Sequence, residues 1–252
     1  MTTGPEPLVQ LHDHDQVVVV QLNRPDKLNA LSTTLEQTLL DTLGSSPVRS
    51  ARAIVFTGTE RAFSAGADTS ELPHMTPERI AAYYRGSGSV YDVIAHMPQP
   101  TLAAISGYCL GAGFELALAC DVRIADNTAQ FGLPEIRLGI LPSSGGITRL
   151  VRAVGSARTK EIVLFGDRFS AHDAHRYGLL REIAPAGQAV DTAVQQAAQL
   201  ASLPSTAVAW TKAAIAAAAE SSTAVSLLVE QLAYAALNRT SGEPTTAKDK
   251  PA

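Results

Sequence analysis

Ser106-Gly107-Tyr108-Cys109-Leu110-Gly111-Ala112-Gly113-Phe114-Glu115-Leu116 joins an apolar strand to an apolar helix through a run of small residues. A short apolar strand, Leu102 to Ile105, precedes it, and an apolar helix, Gly113 to Ala119, grows out of it. Small residues crowd the point where one gives way to the other. Gly and Ala let the backbone come close to a ligand. The first amides of a helix have no intrahelical partner and carry the positive end of its dipole. A second segment, Ala62-Phe63-Ser64-Ala65-Gly66-Ala67-Asp68, has the same character. Two such amides converging on one point make an oxyanion hole, each donor being worth several kcal/mol. Taken singly, either segment also fits a tight packing turn. Gly111-Ala112-Gly113 lacks the third glycine of a dinucleotide fingerprint.

Working outward, Val17-Val18-Val19-Val20 is a β-branched run ahead of the turn residues Asn23-Arg24-Pro25-Asp26 and reads as a strand. Ser32 to Leu43 has helical spacing, with Ser32 as N-cap and Gly44 as the stop. Ala53 to Thr57 and Val122 to Ala125 read as short buried strands. A long helix is expected from Thr76-Pro77 toward Met97. Ser170-Ala171-His172-Asp173 resembles a capping box, with Gly178 closing that helix. Short apolar strands alternating with helices predict an α/β architecture with mostly buried sheets. The expected organisation is an α/β core over 1–187, an Ala-rich helical region over 188–239, and a disordered tail over 240–252.

The net charge of -4 and the absence of a basic stripe argue against a nucleic-acid surface. Cys109 and Cys120 sit in apolar stretches and read as small buried side chains. The first residues show no cationic patch followed by an apolar run, and no apolar stretch is long enough for a membrane span, so a cytoplasmic protein is expected. His172 and His175 have no third ligand placed near them, so no metal is expected. Ser143-Ser144-Gly145-Gly146 lacks the glycine that precedes a nucleophile-elbow serine. Trp210 reads as a packing residue, and Asp68 and Asp121 as loop-holding acids.

The ordered segments together resemble the enoyl-CoA hydratase/isomerase (crotonase) family over roughly residues 15 to 185. Asn23-Arg24-Pro25 through Asn29-Ala30-Leu31 is similar to its first motif, where the ligand's nucleotide end is held. Phe63 to Asp68 and Gly107 to Leu116 resemble its two oxyanion loops. Phe131 to Glu135, Leu138 to Pro142, Gly145-Gly146 and Gly166 to Ala171 resemble its later blocks. The resemblance implies a spiral of repeated ββα units with a C-terminal helical region. It also implies an acyl-CoA thioester substrate, no cofactor beyond the coenzyme A of that substrate, and a homotrimer or dimer of trimers. The oxyanion donors it implies are the backbone amides of Ala65 and Ala112. Substrate and coenzyme A contacts would fall to Arg24, Lys27, Leu28, Ala30, Ser64, Gly66, Ala67, Asp68, Gly111, Pro134 and Gly145, with Arg61 as a further phosphate contact.

Glu115 and Glu135 stand at the family's two hydratase positions. Hydration of a 2-enoyl thioester needs a water held at the β-carbon and a proton delivered to the α-carbon on the same face. Two neighbouring carboxyls can divide that work, because proximity and burial keep one protonated near neutral pH. Glu135 is expected to donate the proton and Glu115 to orient and activate water. An isomerase moving a proton from a 3-enoyl to a 2-enoyl thioester with one glutamate, and a silent acyl-CoA binder, are the alternatives. Departures from the pattern are the segment after Leu237 and the missing lysine in Thr69-Ser70-Glu71-Leu72.

Overall fold

The computed structural model describes residues 6–71, 73 and 76–240. Its strands alternate between two sheets along the chain. β1 (Val9–His14), β2 (Val17–Leu22) and β3 (Ala53–Thr57) open a six-stranded sheet, and β4 (Ala62–Ser64) opens a four-stranded one. β5 (Thr101–Ile105) returns to the first sheet and β6 (Tyr108–Leu110) to the second. β7 (Val122–Asp126) and β8 (Gln130–Gly132) repeat the step, after which β9 (Phe169–Ser170) and β10 (Glu182–Ala184) close the second and first sheets. Pairing is parallel except for β1 with β2 and β8 with β9. One strand in each sheet followed by a helix is the expected ββα spiral.

The near-continuous apolar runs follow from cover on both faces. On β2, β3 and β5, alternate residues point to opposite sides: Val18, Val20, Ile54, Phe56, Ala103 and Ile105 to the main core, and Val17, Val19, Ala53, Val55, Leu102 and Ala104 to the other. That second face is covered by α8 (Ala189–Ala201), whose stripe Ala189, Ala193, Ala197, Ala201 recurs every fourth residue. The compact unit therefore runs through Ser202, and the boundary expected after residue 187 moves to 202/203. A second unit begins at Leu203 and holds α9 (Ser205–Glu220) and α10 (Thr223–Thr240). The expected disordered tail lies, beyond Thr240, outside the described residues.

α1 (Thr33–Leu43) starts where expected, Ser32 Oγ accepting the Leu35 amide at 3.2 Å. After α2 (Ser46–Ser50), the single long helix expected from Thr76 is broken in two. α3 (Pro77–Arg85) ends at Gly86, whose φ of -110° and ψ of -121° are not helical, and α4 (Val90–Ala95) follows a 3-10 turn. α5 (Ala112–Ala119) is buried along its whole length. α6 (Gly146–Phe165) is kinked at Gly155. α7 (Ala171–Arg176) carries the expected capping box between Ser170 and Asp173. Among the described residues no helix is long and apolar enough to cross a membrane.

Candidate active site

Two loops meet at the start of α5. Gly66 has φ 106° and Gly111 φ 51°, conformations open to glycine. The position a Cβ would take on Gly111 lies 3.7 Å from the Gly66 Cα, so the two backbones abut. Gly113 lets the first turn of α5 rest on β4, since a Cβ there would stand 2.6 Å from the Ser64 Cβ. The first motif is laced to the same place. Leu31 N donates to Gly66 O and Asp68 N to Leu31 O, at 2.8 and 2.9 Å. Arg24 Nη1 donates to Asp68 Oδ2 at 2.7 Å and to Ala30 O at 3.0 Å. Leu28 and Asn29 hold positive φ in this turn, fixed by Asn29 bonds to Arg24 N and Ala62 O.

One of the expected amide donors is already spent. Ala65 N–H donates to Leu28 O at 2.9 Å, so it cannot also serve an oxyanion. The expectation for Ala65 is corrected. In the same loop Gly66 N–H goes to Ser64 Oγ and Asp68 N–H to Leu31 O. Ala67 N–H is left without a partner among the described residues, as is Ala112 N–H at the first position of α5. No signal in the sequence separates Ala65 from Ala67: which amide is free depends on the distant carbonyl of Leu28.

Glu115 and Glu135 are both drawn inward. Glu115 is 3% exposed, and its Oε1 accepts the amides of Ser144 and Gly146, both at 2.8 Å, at the N-terminus of α6. Burial raises its pKa, opposed by those two bonds and by the charge of Arg149. A Cβ on Gly146 would stand 2.7 Å from Glu115 Cγ, so the second glycine of Gly145-Gly146 makes room for the carboxylate. That cradle was not anticipated, although a glycine pair opening a helix is the signal for an anion site. Glu135 follows Pro134 on the 3-10 turn Pro134–Leu138. Its Oε1 lies 3.0 Å from the Cβ position of Gly111, and its buried Oε2 has no hydrogen-bond partner. Burial raises its pKa to about 7; a bond from its own backbone opposes this and the charge of Glu115 adds to it. The two carboxyls thus border the junction of the two loops in unlike settings, one tied by amides and one with an unclaimed oxygen.

Other candidates lie around this junction or away from it. Ser64, Gly66, Ala67, Asp68, Gly111, Pro134 and Gly145 come together with the two acids or their supports. Lys27 is exposed, and Leu28 and Ala30 belong to the laced turn. Asp68 has its pKa lowered to about 2 by the Ser70 hydroxyl and then by the Arg24 guanidinium. Asp121 accepts from Thr101 N and Oγ1. Both are the loop-holding acids expected. Arg61 lines a separate recess of about 710 Å³ with Tyr108, Asp126 and Gly187, which contains none of the site residues.

Comparison with known proteins fits this geometry. The family model described as enoyl-CoA hydratase/isomerase matches residues 12–242. The chain is 39% identical over 225 residues to a Mycobacterium tuberculosis protein named "Probable enoyl-CoA hydratase echA8", covering 88% of this chain and 86% of that one. It is 38% identical over 188 residues to the 2,3-dehydroadipyl-CoA hydratase of Escherichia coli, covering 74% and 72%. Among solved structures, an enoyl-CoA hydratase from Bacillus anthracis superposes with a TM-score of 0.87 at 34% identity, over 92% of each chain. A Thermobifida fusca structure solved in complex with CoA superposes at 0.85 with 26% identity, over 94% of this chain and 95% of that one. With its ββα spiral, abutting glycine loops and two inward carboxyls, the chain belongs to the enoyl-CoA hydratase/isomerase family.

Proposed function

We propose that the protein is a 2-enoyl-CoA hydratase that adds water syn across the 2,3 double bond of an acyl-CoA thioester. The thioester oxygen sits between the free amides of Ala67 and Ala112, each contributing roughly 3 kcal/mol as negative charge builds there. Glu115, the carboxyl tied by two amides, is the ionised partner. It takes a proton from the attacking water as the water oxygen bonds to C3, and the π electrons pass to the thioester oxygen. Glu135, whose half-burial favours its protonated form and whose Oε2 is unclaimed, protonates C2 as the enolate collapses. Proton exchange then returns Glu115 and Glu135 to their starting states. No cofactor beyond the coenzyme A of the substrate takes part. Lys27 and the Arg24 turn face the nucleotide end.

The observation that carries this reading is a pair of carboxyls in opposed settings, Glu115 buried and Glu135 half-buried, beside two unpartnered amides. A pure binder gains nothing from two acids drawn inward there, since each carries a desolvation cost. Incubation with crotonyl-CoA should remove the conjugated-enoyl absorbance. Glu115→Gln and Glu135→Gln should each lower kcat by about 100-fold or more with KM little changed. Conversion of a 3-enoyl-CoA without hydration would make the protein an isomerase. Thermal stabilisation by acyl-CoA with no turnover would make it a binder.

A further inference from the structure

A third glutamate is buried next to the proposed pair. Glu36 is 2% exposed on the inner face of α1, among Leu35, Leu39 and Leu43. A leucine there would pack without a desolvation cost, so the carboxyl calls for a reason. Its Oε1 accepts two phenols, Tyr83 at 2.9 Å and Tyr91 at 2.6 Å. Burial raises its pKa to about 7 against the pull of both phenols, and the charges of Glu71 and Glu115 add to the rise. Glu36 and Glu115 are therefore within electrostatic reach of each other.

The break in the expected long helix is what brings Tyr83 to this point. A Cβ on Gly88 would stand 2.6 Å from the Tyr83 ring, so only a glycine leaves the ring its place. On its other side the Tyr83 hydroxyl has the Ser144 side chain as a hydrogen-bonding neighbour. Ser144 is a node. Its amide donates to Glu115 Oε1 at 2.8 Å, and its carbonyl accepts Arg149 Nη1 at 2.7 Å. Arg149 in turn pairs through Nη2 with Asp92, the residue after Tyr91, at 2.9 Å. α6 holds the Glu115 carboxylate directly through the Gly146 amide, and Ser144 links the Glu36 cluster of α1, α3 and α4 to the same oxygen.

We propose that Glu36 is a positioning residue: its carboxyl anchors Tyr83 and Tyr91, Tyr83 braces Ser144, and the Ser144 amide fixes where the Glu115 carboxylate points. The inference rests on Glu115 being a reacting group, as proposed above. The groups facing Glu36 are the phenols of Tyr83 and Tyr91 and the carboxylates of Glu71 and Glu115; Arg149 faces Glu115.

The test is steady-state hydration of crotonyl-CoA together with a ¹³C-carboxyl NMR titration of Glu115, its signal assigned with Glu115→Gln. Tyr83→Phe and Glu36→Leu should each lower kcat about 10-fold or more while KM stays within about twofold. Because they act along one path, the double variant should be no slower than the more severe single one. Glu36→Gln, whose amide oxygen still accepts both phenols, should keep kcat within about threefold of the parent. Tyr83→Phe should also raise the Glu115 pKa by about half a unit or more, because a loosened Ser144 amide stabilises the carboxylate less. Tyr83→Phe removes a single hydroxyl and keeps the test readable should Glu36→Leu fail to fold. Losses that appear in KM, that multiply in the double variant, or that leave the Glu115 titration unmoved would overturn the proposal. Should the parent protein not hydrate crotonyl-CoA, the hydratase reading fails, while the titration still decides whether Tyr83 positions Glu115.

Discussion

Glu135 pays for its role in stability. Its folded pKa of about 7 lies above the ordinary 4.5, because burial disfavours the charged form. Between those values the folded state binds more protons than the unfolded one, so stability falls as pH rises. The contribution is complete below pH 4.5 and is lost as pH climbs through about 7. Glu135→Gln is neutral in both states and escapes that loss. It should therefore be more stable than the parent at pH 8 by about 1–2 kcal/mol, the side chain being only partly buried. At pH 4 the two should be nearly equal. Urea unfolding at the two pH values measures the difference, and an unchanged difference would remove burial as the cause of the shift. The same variant should be nearly inactive, so one residue would separate stability from turnover.

At the scale of elements, two glycines predict two different failures. Gly113→Ala would push a Cβ to 2.6 Å from both the Ser64 Cβ and its carbonyl oxygen. α5 and β4 would have to part, at a cost of about 1–3 kcal/mol, with the melting temperature falling. Gly146→Ala would meet Glu115 Oε1 at 2.7 Å, a side-chain atom that can swing away. There the fold should hold while kcat falls about 10-fold or more as the carboxylate leaves its two amides. Thermal melts beside kinetics on both variants check the contrast; equal melting losses would mean that Glu115 is as rigid as backbone. These contacts also explain what a reader of the sequence alone can and cannot obtain. β2, β3 and β5 are mostly apolar runs of five or six residues and α1 has its cap, so the α/β class and the glycine loops are legible. β4, β6, β8 and β9 are two or three residues long, below any periodic signal, and the second sheet is invisible without its partners. The break is written in Gly86-Ser87-Gly88-Ser89, two glycines that each cost a helix about 1 kcal/mol, but the apolar spacing on either side carries a helical pattern across it. The two carboxyls are legible from their place in the motifs. The free amide at Ala67 is not, because a carbonyl from Leu28 decides it.

At the scale of the whole molecule, the surface leaves apolar groups that a lone chain gains nothing by exposing. Trp210, expected to pack, is 43% exposed, and Leu164 and Phe165 at the end of α6 are 64% and 67% exposed. The end of α6 is joined to the 3-10 turn after Pro134: Arg137 donates to Phe165 O, and the Cβ position of Gly166 lies 3.1 Å from Ile136. Ile136 and Leu138 on the turn that carries Glu135, and Leu164 and Phe165 on the helix end joined to it, all expose apolar side chains. Such exposure on a monomer marks an association surface. Burying Phe165 alone would contribute about 2 kcal/mol. The homotrimer or dimer of trimers that the family resemblance implies would supply that cover. Light scattering on the purified protein should give three or six times the chain mass of 26.4 kDa. Phe165→Glu places a charge where an apolar partner is expected and should shift the mass toward the single chain at micromolar concentration. A parent that scatters as a monomer would exclude the assembly. A Phe165→Glu variant that stays fully associated would move the interface to another face, since a buried unpaired carboxylate at a central contact costs more than such an interface can absorb.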